Sequence, residues 1–124
     1  MRKKIETTVS ILGTIYRVFL ATRAECPRLT HDAMMDDTVK EIAIRELDPD
    51  EAKDPALVKN YGARQKEMAA HELTHAFFAE AGISSVGRTY DEEWICDWLG
   101  VALPKIHKAY ADIFRELEVG ETAI

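Results

Sequence analysis

The sequence predicts one α+β domain, a small sheet followed by helices. Two observations carry this. Residues 5–46 hold short alternating segments rich in β-branched and aromatic residues, while residues 56–119 are rich in Ala, Glu, Lys and Met with apolar residues at three- and four-residue steps. The change from one regime to the other falls in the polar, proline-bearing stretch 48–55. At 124 residues the chain fits a single domain, 1–124, able to bury a core without disulfide or metal staples.

The first elements are a β-hairpin. Residues 5–12 (IETTVSIL) and 15–21 (IYRVFLA) alternate, and Gly13-Thr14 between them suits a two-residue II′ turn. Residues 22–38 lack a period, hold Pro27 and several Asp, and read as loop. Lys40–Glu46 (KEIAIRE) puts Ile42 and Ile44 on one face, a third strand. The sheet is therefore expected to be small and antiparallel, with the 40–46 strand at its edge. A helix is expected from Ala56 or Ala63 to Ala81, with Tyr61-Gly62 a candidate break. Gly82 would stand as its C′ residue and Ile83 would pack back on the last turn. After a loop at 84–90, Asp91 suits the N-cap of a second helix reaching Leu103 and stopped by Pro104. A third would run from Pro104 or Lys105 to Val119. The stripe Trp94, Ile95, Trp98, Leu99 and Ala102 has the spacing of a buried helix face.

Composition excludes several functions. The chain has 47% hydrophobic and 31% charged residues, so it is neither a disordered tail nor a membrane protein, and no run nears the ~18 apolar residues of a spanning helix. The net charge is −6, a poor balance for non-specific nucleic-acid binding. Charge is uneven: residues 1–28 carry six Lys/Arg against two Glu. These cations alternate with apolar residues and read as a solvated strand face. Cys26 and Cys96 match no metal or redox spacing and suggest free thiols in a reducing compartment. The basic start followed by apolar residues is too interrupted by polar ones for a secretory signal. The expected location is the cytoplasm.

The chemistry sits in His71-Glu72-Leu73-Thr74-His75, the pattern H-E-x-x-H. On a helix, i and i+4 share a face, so two imidazoles can bind one metal ion. Glu72 is turned ~100° from His71, which frees it from ligation and lets it reach a metal-bound water as general base. Downstream lies Glu93-x-x-x-Asp97, again i and i+4 on an expected helix. Residues 76–92 between the motifs are enough for one helix to end and a second to cross it. Glu93 would be the third ligand, leaving a position for water as in catalytic zinc. Asp97 would accept from the free ring N–H of a ligand histidine. Glu92 is the alternative third ligand. It lies ~100° away on a stripe shared with Leu99 and Leu103, and lacks a carboxylate one turn on, which favours Glu93. Gly100, on the Glu93–Asp97 face, would let the two helices approach closely.

HELTH followed by ExxxD resembles the gluzincin arrangement. The wider pattern is similar to the small phage and prophage metallo-endopeptidases of the ImmA/IrrE family. The resemblance runs through SILGTIYRV, KEIAIRE, HELTHAFFAEAG and EEWICDWLGVALPKI. It implies Zn2+, a zincin-like fold of sheet and active-site helix, and hydrolysis of a protein or peptide substrate, in some members a repressor. Carried over, His71 and His75 are ligands, Glu72 the base and Glu93 the third ligand. Family members often have E-x-x-A-N where this chain has Glu93-x-x-Cys96-Asp97, so Asp97 rests on the gluzincin comparison. His31, Tyr61, Tyr90, His107 and Tyr110 each have the chemistry to polarise a scissile carbonyl, and spacing does not choose among them. The expected function is a zinc metallopeptidase without nucleic-acid or membrane partners. The alternative is a catalytically idle zinc-binding interaction module. A third reading is a domain without metal.

Overall fold

The structure, a computed structural model, describes residues 5–82 and 92–117. It is α+β, with a four-stranded sheet and two long helices. β1 (Glu6–Ile11) and β2 (Thr14–Ala21) form the expected hairpin, paired antiparallel from Glu6–Phe19 to Ile11–Thr14. Its turn residues are Leu12 and Gly13, one position earlier than expected. Both have positive φ, +51° and +92°, which is the type I′ pattern and not II′. The right-handed twist of the flanking strands favours that turn strongly enough to hold a leucine there.

The sheet departs from expectation in three ways. The 22–38 stretch is not all loop, because β3 (Ala33–Asp36) pairs antiparallel with β4 (Glu41–Arg45). The sequence AMMD has no β-branched residue, so only its partner makes it a strand. The sheet is mixed, not antiparallel: β4 runs parallel to β2, from Arg17–Glu41 to Ala21–Arg45. The order is β1-β2-β4-β3, so β4 is internal and β3 is an edge. That position explains why Ile42, Ala43 and Ile44 are all buried, on both faces of the sheet.

A short 3-10 turn (Glu51–Lys53) leads into α1 (Pro55–Glu80). Asp54 caps α1 by accepting from the Ala56 N–H at 2.9 Å, and Pro55 occupies the first turn, where its missing N–H costs nothing. Tyr61-Gly62 does not break the helix. Gly82 has φ +77° after the last turn, and its N–H donates to the Ala79 carbonyl at 3.1 Å. The expected contact of Ile83 and cap of Asp91 lie outside the described residues. α2 (Glu92–Leu117) is one helix where the sequence suggests two. Pro104 removes one backbone donor without ending it. Leu103 and His107, on either side, face one apolar cavity with Ala69, Ala70 and Leu73 of α1, so packing holds the axis through the proline.

The core lies between sheet and α1: Ile11, Tyr16, Ile42, Ile44 and Ala76 are buried together, with Val9, Val18 and Leu73 against them. α2 packs mainly on α1. Of the expected buried stripe, Trp94 and Trp98 are 64% and 53% exposed while Ile95, Leu99 and Ala102 are half-buried, and the fully buried positions are Cys96 and Gly100. The face of α2 that must meet α1 is the narrow one, because His71 and His75 are in the way. The α1 terminus is tied to the sheet by Glu80, which accepts from Thr14 Oγ1 and Tyr16 Oη at 2.7 Å and pairs with Lys40 Nζ at 2.9 Å.

Candidate metal centre

His71, Glu72 and His75 sit in the second half of α1, where the helix passes between the sheet edge and α2. The i, i+4 spacing brings the two imidazoles to 5.0 Å between centroids. Across from them α2 begins, and its first turn carries Glu92 and Glu93. Glu93 Oε1 lies 2.5 Å from His75 Nε2 and 3.8 Å from His71 Nε2. One donor atom from each of His71, His75 and Glu93 falls within 4.8 Å of the others, a group able to hold a metal ion.

The other ring nitrogens each face a carboxylate, and one of them is held by it. Glu92 Oε2 is 2.7 Å from His75 Nδ1. A carboxylate accepts and does not donate, so Nδ1 is the donor in this contact, and in the neutral imidazole that leaves a lone pair on Nε2. Asp97 Oδ1 is 3.1 Å from His71 Nδ1, close but outside hydrogen-bond alignment, and that buried nitrogen has no hydrogen-bond partner among the described residues. Sequence reasoning places Asp97 beside a ligand histidine and gives Glu92 no such part. The missed signal is that Glu92 also heads an i, i+4 pair, with Cys96 as its follower.

The residues fit a cation. With its proton on Nδ1, His75 turns an acceptor at Glu93 Oε1, itself an acceptor, only 2.5 Å away. Two facing lone pairs are repulsive unless a proton or a metal ion lies between them, and with His71 beside them the set is His₂Glu, one that zinc takes.

Glu72 is buried, its Oε2 3.7 Å from His71 Nε2. Burial pushes its carboxyl above the ordinary carboxylate range and Glu93 adds to this. The two imidazoles and a hydrogen bond from the Met35 backbone N–H oppose the rise. That bond follows from the sheet. Arg45 N–H donates to the Asp32 carbonyl at 2.9 Å, so antiparallel alternation turns the N–H and C=O of Ala33 and Met35 outward, toward α1.

The site opens into a cleft of about 710 Å³ between β3 and the helices. Arg64, Met68, His71 and His75 line it along α1, and His31 to Met35 along the sheet edge. Arg64 is held by Asp32 at 2.9 Å and Glu67 at 2.6 Å. Of the residues with carbonyl-polarising chemistry, His31 lines the cleft, two residues before β3 begins. Tyr61 borders another hollow and His107 the apolar cavity. Tyr90 and the side chain of Tyr110 lie outside the described residues.

Gly100 makes the helix contact. A Cβ there would stand 3.1 Å from the Glu67 carbonyl oxygen and 3.3 Å from His71 Cβ. Cys96 is fully buried beside the site, and burial, with Glu92 and Glu93 next in effect, pushes its thiol up to about 12. No described helix is long and apolar enough to cross a membrane. Comparison with protein-family models, curated proteins and solved structures gives no match to this chain.

Proposed function

We propose that this chain is a zinc-dependent metallo-endopeptidase of zincin-like, gluzincin type, acting on a protein or peptide in the cytoplasm, with a phage or host regulatory protein as the substrate class. The observation that carries it is the convergence of His71, His75 and Glu93, with acceptor faced to acceptor, beside a buried glutamate. Bound there, zinc supplies Lewis-acid polarisation of a carbonyl and lowers the pKa of water toward ~7. Glu72 takes a proton from the attacking water at its carboxylate and delivers it to the leaving amine. Its raised affinity for a proton suits both halves of that transfer. Glu92 orients the His75 imidazole from behind by its hydrogen bond, and Asp97 places a negative charge behind His71. The outward backbone of Ala33 offers an extended peptide a strand to pair with; this role passes from the 40–46 strand, which is internal, to β3.

One observation favours the second reading, an idle zinc-binding interaction module. Of the five carbonyl-polarising candidates, His31 alone among the described residues lines the cleft, and no hydrogen bond joins it to Glu72. Glu72→Gln separates the readings. It should keep zinc and lose roughly 10²–10⁴ of turnover on a cleavable peptide library. Zinc bound by the parent with no cleavage of any library member would select the idle module. Parent protein that takes up no zinc would refute both.

A further inference from the structure

Glu92 and Glu93, one residue apart, open two different faces of α2, ~100° apart. The Glu93 face continues one turn on with Asp97 and looks at Nε2 of both histidines. The Glu92 face continues one turn on with Cys96 and looks at Nδ1 of His75. His75, Glu92 and Cys96 each offer a donor atom, all within 4.8 Å of one another, and Cys96 is fully buried. We propose that His75 Nδ1, Glu92 and Cys96 form a second metal site, for a thiophilic divalent ion, joined to the His71–His75–Glu93 site through the shared imidazole ring.

The donor chemistry selects the ion. Sulfur, nitrogen and one carboxylate oxygen suit Zn2+ or Cd2+, whereas Mg2+ and Ca2+ take oxygen sets. Charge balances: thiolate and carboxylate together neutralise a dication at a place where Cys96 is buried and His75 and Glu92 are half-buried. One ion enters, and two protons leave to solvent, from the Cys96 thiol and His75 Nδ1. His75 then bridges as an imidazolate when both sites are filled. Two dications on one ring repel, so the second equivalent binds more weakly than the first, whichever of the two sites it enters. The pairing with Glu92 that holds His75 in the metal-free protein is the contact the ion replaces.

The inference rests on the proposed zinc centre only in sharing His75, and Cd2+ titration tests it apart from that reading. Cadmium–thiolate charge transfer gives a near-ultraviolet band that histidine and carboxylate ligands do not. The intact protein should take up two equivalents of Cd2+ and show this band by the end of the titration. Cys96→Ser should lose the band and one equivalent, Cys26→Ser should keep both, and His71→Ala should keep the band while losing the other equivalent. If Cys96→Ser does not fold, 113Cd resonance of the intact protein decides, with one signal shifted by a sulfur ligand and one without. No band at saturating Cd2+, or a band lost in Cys26→Ser and kept in Cys96→Ser, overturns the proposal. An intact protein that shows the band and saturates at one equivalent of Cd2+ would overturn the zinc centre instead.

Discussion

Gly100 and Gly62 offer a matched pair of substitutions whose signs should differ. Each is a glycine inside a helix, and Gly→Ala there gains about 0.5–1 kcal/mol by restricting the unfolded chain. At Gly62 a Cβ meets nothing within 4 Å, so Gly62→Ala should realise that gain, a rise in Tm of roughly 3–5 °C per kcal/mol for a domain of this size. At Gly100 the same Cβ meets a backbone oxygen at 3.1 Å and the Cβ of His71 at 3.3 Å. Neither is a flexible side-chain end, so the helices must part by a few tenths of an ångström. Overpacking of this kind costs about 1–3 kcal/mol, which outweighs the helix gain and leaves a net loss of about 1 kcal/mol. The displacement also carries Glu93 away from His71, and ligand geometry tolerates only about 0.2 Å. Zinc affinity should therefore fall by roughly 10–100-fold, the range found when ligand supports are lost. Thermal unfolding of the metal-free proteins and competition against a chromophoric chelator read the two effects. Gly100→Ala that is as stabilising as Gly62→Ala and binds zinc like the parent would refute the close helix contact as the device that positions the site.

The same geometry sets three further outcomes. Glu93→Ala should cost the most zinc affinity of the three carboxylate variants, with Glu92→Ala and Asp97→Ala weaker by roughly 10–100-fold than the parent; equal binding by Glu93→Ala and the parent would move the third ligand elsewhere. His71→Ala should lose stoichiometric zinc and with it the stabilisation that added zinc confers, read as the difference in Tm with and without metal. Glu80 makes a pH prediction. Hydrogen bonds from Lys40, Thr14 and Tyr16 hold its carboxyl down at about 2, against 4.5 ordinarily. The unfolded chain thus binds the proton first, so the contribution is full above pH 4.5 and is lost as pH falls through about 2. Tm measured from about pH 6 to 2 should drop less steeply in Glu80→Gln, and an identical slope would count against the tie between α1 and the sheet.

The sequence alone determined the local chemistry and much of the local structure. The i, i+4 spacing of His71 and His75 needs only a helix to place both rings together, and the alternation of residues 5–21 needs only a hairpin. The end of α1 was equally local, since Gly82 marks it by its freedom at positive φ. The close approach at Gly100 was legible too, as a residue without a side chain on the carboxylate face. Tertiary structure decided what depends on partners distant in the chain. β3 exists because β4 pairs with it, and β4 became internal and parallel to β2 because the β3–β4 hairpin docks by its second strand; neither follows from composition. Pro104 lies within α2 because packing on both sides outweighs one lost hydrogen bond. The rotation of α2 about its axis set the rest. It turned Trp94 and Trp98 to solvent, buried Cys96, and gave Glu92 to His75 Nδ1 while Glu93 met Nε2. A helix's own periodicity says which residues share a face, but which face turns inward is set by what stands opposite, and here that was a pair of histidines.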